Sequence, residues 1–145
     1  MTHPFHYDMP AVRISDSEIV VQKQCLDMIA KLFPNTRVAA VPNGGKRTRW
    51  QQQQAKREGV SAGFPDLVLV GDRWAPMLSA TPPEFPKPTA YVLRPVVAFP
   101  EIKAKASLTA EQTDWLTFMA ECGHHCGVFR SDRTLEEAMR KWGFR

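Results

Sequence analysis

The chain of 145 residues has no apolar run near the roughly 20 residues that a membrane-spanning helix needs. Its opening stretch, MTHPFHYDMP, lacks the basic segment followed by an apolar one that marks a secretory signal. Cysteine is scarce and odd in number. The three thiols, Cys25, Cys122 and Cys126, argue against a disulfide scaffold and for a reducing cytoplasm. No internal repeat is present, and the glutamines at 51–54 are too few for a low-complexity tract. What remains is an ordinary globular composition, 43% hydrophobic and 23% charged, long enough for one domain with a core. The net charge of +4 leans toward a polyanionic partner without identifying one.

Residues 1–14 read as an extended arm, because Pro4 and Pro10 oppose helix. Residues 15–145 read as a single domain. A first helix is predicted from Ser15, with Ser15 and Glu18 as a capping box and Ile19, Leu26, Ile29, Ala30 and Phe33 on one face. Residues 37–41 predict a short strand, closed by Pro42-Asn43-Gly44-Gly45. Residues 46–59 are the most basic stretch, rich in helix formers and ending at Gly59. Residues 66–70, DLVLV, predict a strand buried on both faces. Residues 71–95 hold Pro76, Pro82, Pro83, Pro86, Pro88 and Pro95 and read as a long irregular insertion. A third strand spans 96–104. Pro100 interrupts it, and proline has no N–H for a ladder, so the strand must be an edge there, begin there or carry a bulge. Thr109 and Gln112 form a second capping box, opening a helix that Gly123 ends. A fourth strand at 126–130 and a closing helix at 135–142 complete an α/β domain with a mixed central sheet of about four strands flanked by helices.

The chemistry-bearing residues are Asp66, Glu101 and Lys103. Glu101 and Lys103 stand two apart on a strand, so their side chains share a face. Asp66 begins the preceding strand, and a hairpin between the two would bring all three to one end of the sheet. Two carboxylates make a hard oxygen site for Mg²⁺ or Mn²⁺. A lysine beside them can orient or deprotonate a water, or neutralise charge growing on a phosphate. Blander readings exist for each residue alone: Asp66 as a turn residue after Gly-Phe-Pro, and Glu-x-Lys as a solvated cross-strand face.

The ordered set Asp66, then Glu101-Ile102-Lys103, resembles the PD-(D/E)xK nuclease pattern. More narrowly, NGG at 43–45, GVSAGFPDLVLV at 59–70, EIKA at 101–104 and LTAEQTDWLTFMAECG at 108–123 resemble a stand-alone VRR-Nuc domain, over residues 17–142. The resemblance implies a restriction-endonuclease-like fold and a metal-dependent DNA endonuclease acting on branched DNA such as four-way junctions. It further implies a homodimer, no small-molecule substrate, and the cytoplasm of a bacterial or phage-infected host cell. Carried over residue by residue, Asp66, Glu101 and the Ile102 carbonyl hold Mg²⁺ or Mn²⁺, Glu18 completes the metal site, Lys103 is the catalytic lysine and Gln112 supports the site. Glu18 and Gln112 also have a full explanation as capping-box partners. Gln22 shares a helical face with Glu18 and is either an inward-facing neighbour or an ordinary polar residue. Asn43, Lys46, Arg49 and Lys56 are the candidate DNA contacts; a solvated basic helix is the alternative. The CGHHC run at 122–126 invites zinc, but no second ligand pair is evident. Two other functions stay open: a non-catalytic DNA-binding module with the same fold, and a nuclease acting on linear or single-stranded DNA ends. The intact Asp, Glu and Lys set argues against the first.

Overall fold

In the computed structural model, which describes residues 2–10, 16–42, 48–77 and 90–145, a five-stranded mixed sheet is flanked by four helices among those residues. In chain order they are β1 (His6–Tyr7), α1 (Glu18–Leu32), β2 (Arg37–Ala40), α2 (Arg49–Arg57), β3 (Leu67–Met77), β4 (Ala90–Ile102), α3 (Ala110–Glu121), β5 (His125–Phe129) and α4 (Asp132–Trp142). The sheet order is β1-β5-β4-β3-β2. β2, β3 and β4 are antiparallel neighbours, whereas β5 lies parallel to both β4 and β1. A parallel return requires a crossover, and α3 supplies it between β4 and β5.

Helices pack on both faces of the sheet, but the strand expected to be buried on both faces is buried on one: Leu67 and Leu69 are buried, Val68 is half-buried and Val70 is exposed. On one face, Val21, Cys25 and Ile29 of α1 and Leu135 and Met139 of α4 pack on Leu67, Leu69, Ala98 and Ile102. On the other, Leu116 and Met119 of α3 pack on Cys126 and Val128. No helix among the described residues is long and apolar enough to cross a membrane.

The structure departs from the sequence reading in four places. The arm is not merely extended: His6 and Tyr7 pair with Gly127 and Val128, which makes the sheet five-stranded. A buried tie fixes it, because the Asp8 carboxylate accepts the Arg130 N–H at 3.0 Å while the Arg130 side chain donates to the Asp8 carbonyl at 2.8 Å. Next, the N-cap of α1 is Ser17, whose hydroxyl accepts from Val20 N–H; Glu18 is then a first-turn residue and not the partner of a Ser15 box, and Ser15 lies outside the described residues. α2 also begins later than expected, at Arg49 after the Thr48 cap, with Thr48 and Gln51 forming its own capping box.

Finally, the region read as an irregular insertion is largely strand. β3 and β4 form a long hairpin paired from Leu69↔Ala98 out to Met77↔Ala90; residues 78–89 lie outside the described residues. Its prolines are tolerated because of which way their nitrogens face. Successive strand residues direct their backbone groups to opposite edges. Ile102 N–H points to the β3 side, at Asp66, and Lys103 N–H to the β5 side, at Phe129. Pro95 therefore faces the β5 side, where pairing starts only at Ala98. Pro76 faces the β2 side, where pairing stops at Val70. Pro100 faces β3, whose ladder with β4 has already ended at Ala98, while the register with β5 runs through Pro100 without a bulge.

Candidate active site

Where the β3–β4 ladder ends, a side chain replaces it. Asp66 precedes β3, and its Oδ2 accepts the Ile102 N–H at 2.8 Å. Its own carbonyl accepts Val41 N–H at 2.8 Å, which fixes it against the end of β2. Asp66 is thus held at the tip of the sheet by three strands. The Ile102 carbonyl shares the Asp66 side of β4 with its N–H.

Glu101 and Lys103 project from β4 on the α3 face, and both are buried, at 1% and 7% exposure. Lys103 Nζ lies 3.4 Å from Glu101 Oε1. The same oxygen accepts Gln112 Nε2 at 2.5 Å. Gln112 both caps α3 and bonds Glu101. Its Oε1 accepts Thr109 N–H at 3.0 Å, and its backbone N–H bonds Thr109 Oγ1, so the capping box sets the amide and the amide aims its NH₂ at Glu101. The turn before Asp66 is built to admit this helix end. Gly63 has φ +82°, and a Cβ there would lie 2.5 Å from the Glu111 carbonyl carbon and 2.7 Å from Gln112 N. The sequence marked Gly63 as a turn residue, but its close approach to α3 depends on tertiary structure.

Electrostatics at the pair are unusual. Burial pushes Glu101 up from 4.5 to about 8; the Asp66 charge adds to the effect, Lys103 opposes it, and Glu18 adds a smaller push. Burial also raises Asp66, held back by the Ile102 hydrogen bond, by Lys103 and by Glu101. Without a cation, Glu101 therefore favours its protonated form to higher pH than an ordinary glutamate. Glu101 Oε2 is buried without a hydrogen-bond partner. Such an orphaned oxygen calls for an occupant.

A hard divalent cation fits this donor set. Asp66, the free Oε2 of Glu101 and the Ile102 carbonyl are all oxygen donors, and Mg²⁺ typically takes one or two carboxylates and keeps several waters. Among the described residues no group of three or more His, Cys, Asp or Glu is gathered closely enough to hold a metal, so any ion here rests on two carboxylates with carbonyl and water. Glu18 stands one shell out. With Gln22, Lys23, Val41, Pro42 and Asp66 it lines a groove of about 380 Å³ that reaches Asp66.

The other candidates separate from the site. Arg49 and Lys56 are exposed on α2 and form no ion pair among the described residues. Asn43 and Lys46 lie outside the described residues. The CGHHC run does not assemble a metal site: His124 packs edge-on to Phe99, His125 stacks on Trp142, and the Cys126 thiol faces the Leu116 carbonyl. Sequence reasoning missed Arg130. Buried beside Phe129, it donates from Nη1 to the carbonyls of Ala104 at 2.6 Å and Ala106 at 3.0 Å, and so fastens the chain just after Lys103. No protein-family model, curated protein or solved structure matches the chain.

Proposed function

We propose that the chain is a divalent-metal-dependent DNA endonuclease with a restriction-endonuclease-like fold, akin to the stand-alone VRR-Nuc proteins that its motifs resemble. One observation carries the reading: the buried Glu101 carboxylate, with an orphaned oxygen, stands beside the half-buried Asp66 and a buried lysine at a sheet end where Asp66 lines a groove. A core built only for stability gains nothing from that grouping, since buried charge is costly unless a partner completes it.

The residues divide the work as follows. Asp66 and Glu101, with the Ile102 carbonyl, hold Mg²⁺ or Mn²⁺. When bound, the ion supplies Lewis acidity to a phosphoryl oxygen and acidity to a water. Gln112 locks Glu101 Oε1, which leaves Oε2 turned to the site. Lys103 brings an ammonium to the place where negative charge grows on the phosphate, or positions the attacking water. Glu18 and Gln22 line the approach. Arg49 and Lys56 on α2 are free to meet phosphates without reading sequence. The resemblance extends the proposal to branched DNA and to a homodimer, in which two sites related by symmetry suit a junction cut on two strands.

The test is direct. The protein is incubated with Mg²⁺ or Mn²⁺ on four-way junctions, flaps and linear duplex, beside Asp66→Ala and Lys103→Ala. Cleavage by the parent that both variants lose is the expected result, with junctions cut fastest. No cleavage of any substrate with either metal refutes the nuclease reading, and DNA binding without cutting turns it into a binding module. Variants that cut as well as the parent refute the site assignment.

A further inference from the structure

The outer half of the β3–β4 hairpin extends past the rest of the sheet. β2 pairs with β3 only as far as Val70, and β5 meets β4 only from Ala98. Beyond those points the two strands are a ribbon with both edges open. An isolated two-stranded ribbon is marginal in water, and one with a bare apolar face calls for a partner.

The face in question is the one that carries Glu101 and Lys103. Alternate residues of β4 share a face, so Leu93 and Tyr91 lie on the same side as Glu101. Their partners Trp74 and Pro76 join them, and Arg37 sits opposite Val70 on this face. α3 covers the face over Cys126 and Val128 and leaves the ribbon bare. Tyr91 is 60% exposed and Trp74 56%, with Leu93 and Val70 exposed between them and the sheet.

Cations frame these rings. The Arg145 guanidinium lies 5.4 Å over the Trp74 ring and bonds Asp72 at 2.7 Å. Asp72 and the buried Glu101 are the sole acids in β3 and β4, so the ribbon has no free acid. Arg37, on the same face as the rings, forms no ion pair among the described residues. Arg73 and Arg94 stand directly opposite each other across the ladder, but on the other face of the ribbon from the rings.

Flat exposed rings flanked by Arg37 and Arg145 suit one ligand: bases that are unstacked from a duplex, joined by phosphates. The geometry points to a single-stranded DNA platform on the β3–β4 ribbon, with unpaired bases stacking on Trp74 and Tyr91 and the backbone tracking Arg37 and Arg145. A second copy of the chain is disfavoured, because face-to-face packing would set these cations against one another with no free acid on either ribbon. Resting on the nuclease reading, the proposal also says what the substrate is: DNA whose unpaired strand lies on one side of the cut. Eight residues of β4 separate Leu93 from Glu101, which is about 26 Å at about 3.3 Å per residue. A stacked strand covers that span in roughly eight nucleotides.

The experiment measures binding with metal chelated, so it does not depend on cleavage. A fluorescent oligothymidylate of about 20 nucleotides is titrated with the full chain and followed by anisotropy. Trp74→Ala and Tyr91→Ala are each expected to weaken binding about tenfold, and Trp74→Phe to restore most of it. Arg37→Ala should make binding less steep in salt, by about 0.7 per lost phosphate contact. A duplex of the same length should be indifferent to Trp74→Ala. Unchanged oligothymidylate binding by both aromatic variants, or an equal loss on the duplex, overturns the proposal. So does a sedimentation result in which Trp74→Ala splits a dimer while oligothymidylate binding stays the same. A parent that binds through the ribbon yet cuts nothing with either metal sinks the nuclease reading and leaves this one standing. A parent that cuts while the ribbon variants bind normally does the reverse.

Discussion

Replacing Glu101 with glutamine exchanges one oxygen for nitrogen and removes one ionisation from a buried pair. In the metal-free parent, Glu101 keeps its proton up to about 8, whereas the unfolded chain releases it near 4.5. Folding therefore takes up a proton between those values. Stability from this group is fully present below 4.5 and is lost as pH rises through about 8. At about 1.36 kcal/mol per pH unit, that interval bounds the loss at about 5 kcal/mol. Asp66, also raised, acts in the same direction. Asp8 is lowered, so its contribution is lost only as pH falls, outside this window. A glutamine at 101 copies the protonated acid: its carbonyl can accept from Gln112 and its NH₂ can face Asp66. Urea unfolding from about pH 5 to about pH 8 with chelator present should thus show a falling midpoint in the parent and a flatter one in Glu101→Gln. Added Mg²⁺ or Mn²⁺ should stabilise the parent most at the alkaline end, where both carboxylates are ready to bind it, and the variant little. Equal slopes in parent and variant would show that the raised carboxyl is not Glu101.

Gly63→Ala combines a positive φ with backbone overlap at 2.5 Å and 2.7 Å, so it should destabilise by about 2–5 kcal/mol in urea melts; a change under about 1 kcal/mol would mean that the turn does not press on α3. Arg130→Gln should cost about 3 kcal/mol and speed amide exchange after Lys103, because the carbonyls of Ala104, Ala106 and Asp8 lose their side-chain donor; unaltered exchange there would contradict the tie. An aromatic disulfide reagent should titrate one thiol quickly in the native protein, the exposed Cys122, since burial pushes Cys25 up to about 12 and Cys126 to about 11; three fast thiols before unfolding would refute that burial.

What was legible in the chain was what local spacing encodes. Thr109 and Gln112, three apart, announced both the helix start and its cap, and Glu101 and Lys103, two apart, announced a shared face. The α/β order followed from such patterns. Features that depend on distant partners were not legible. Arg130 and Asp8 meet across 122 positions, so the arm gave no sign of becoming a strand. The hairpin was hidden by its own prolines. Whether proline blocks a strand depends on the edge its nitrogen faces, and for Pro76 and Pro95 that edge is open only because β2 and β5 are short. The cap of α1 expected at Ser15 is Ser17, which changes Glu18 from a capping partner into a first-turn residue that lines the groove.

The same reasoning separates two roles at Asp66. Pro100 gives β3 no N–H to accept, and the ladder stops there, so Ile102 N–H would be orphaned at the sheet end without the Asp66 carboxylate. Asp66 is therefore structural as well as electrostatic, and loss of activity in Asp66→Ala conflates the two. Asp66→Asn keeps an oxygen for Ile102 and removes only the charge. If the carboxylate serves the ladder alone, Asp66→Asn should cut DNA like the parent while Asp66→Ala fails. If it serves a metal, Asp66→Asn should unfold at nearly the parent's urea midpoint at neutral pH without metal, yet gain nothing from Mg²⁺ or Mn²⁺ and cut nothing. Removing one charge of a repelling pair even predicts that the asparagine variant holds its stability better than the parent as pH rises past about 8. A variant that is folded, metal-blind and inactive places the charge at the chemistry; one that is folded and active leaves Asp66 as a strand cap.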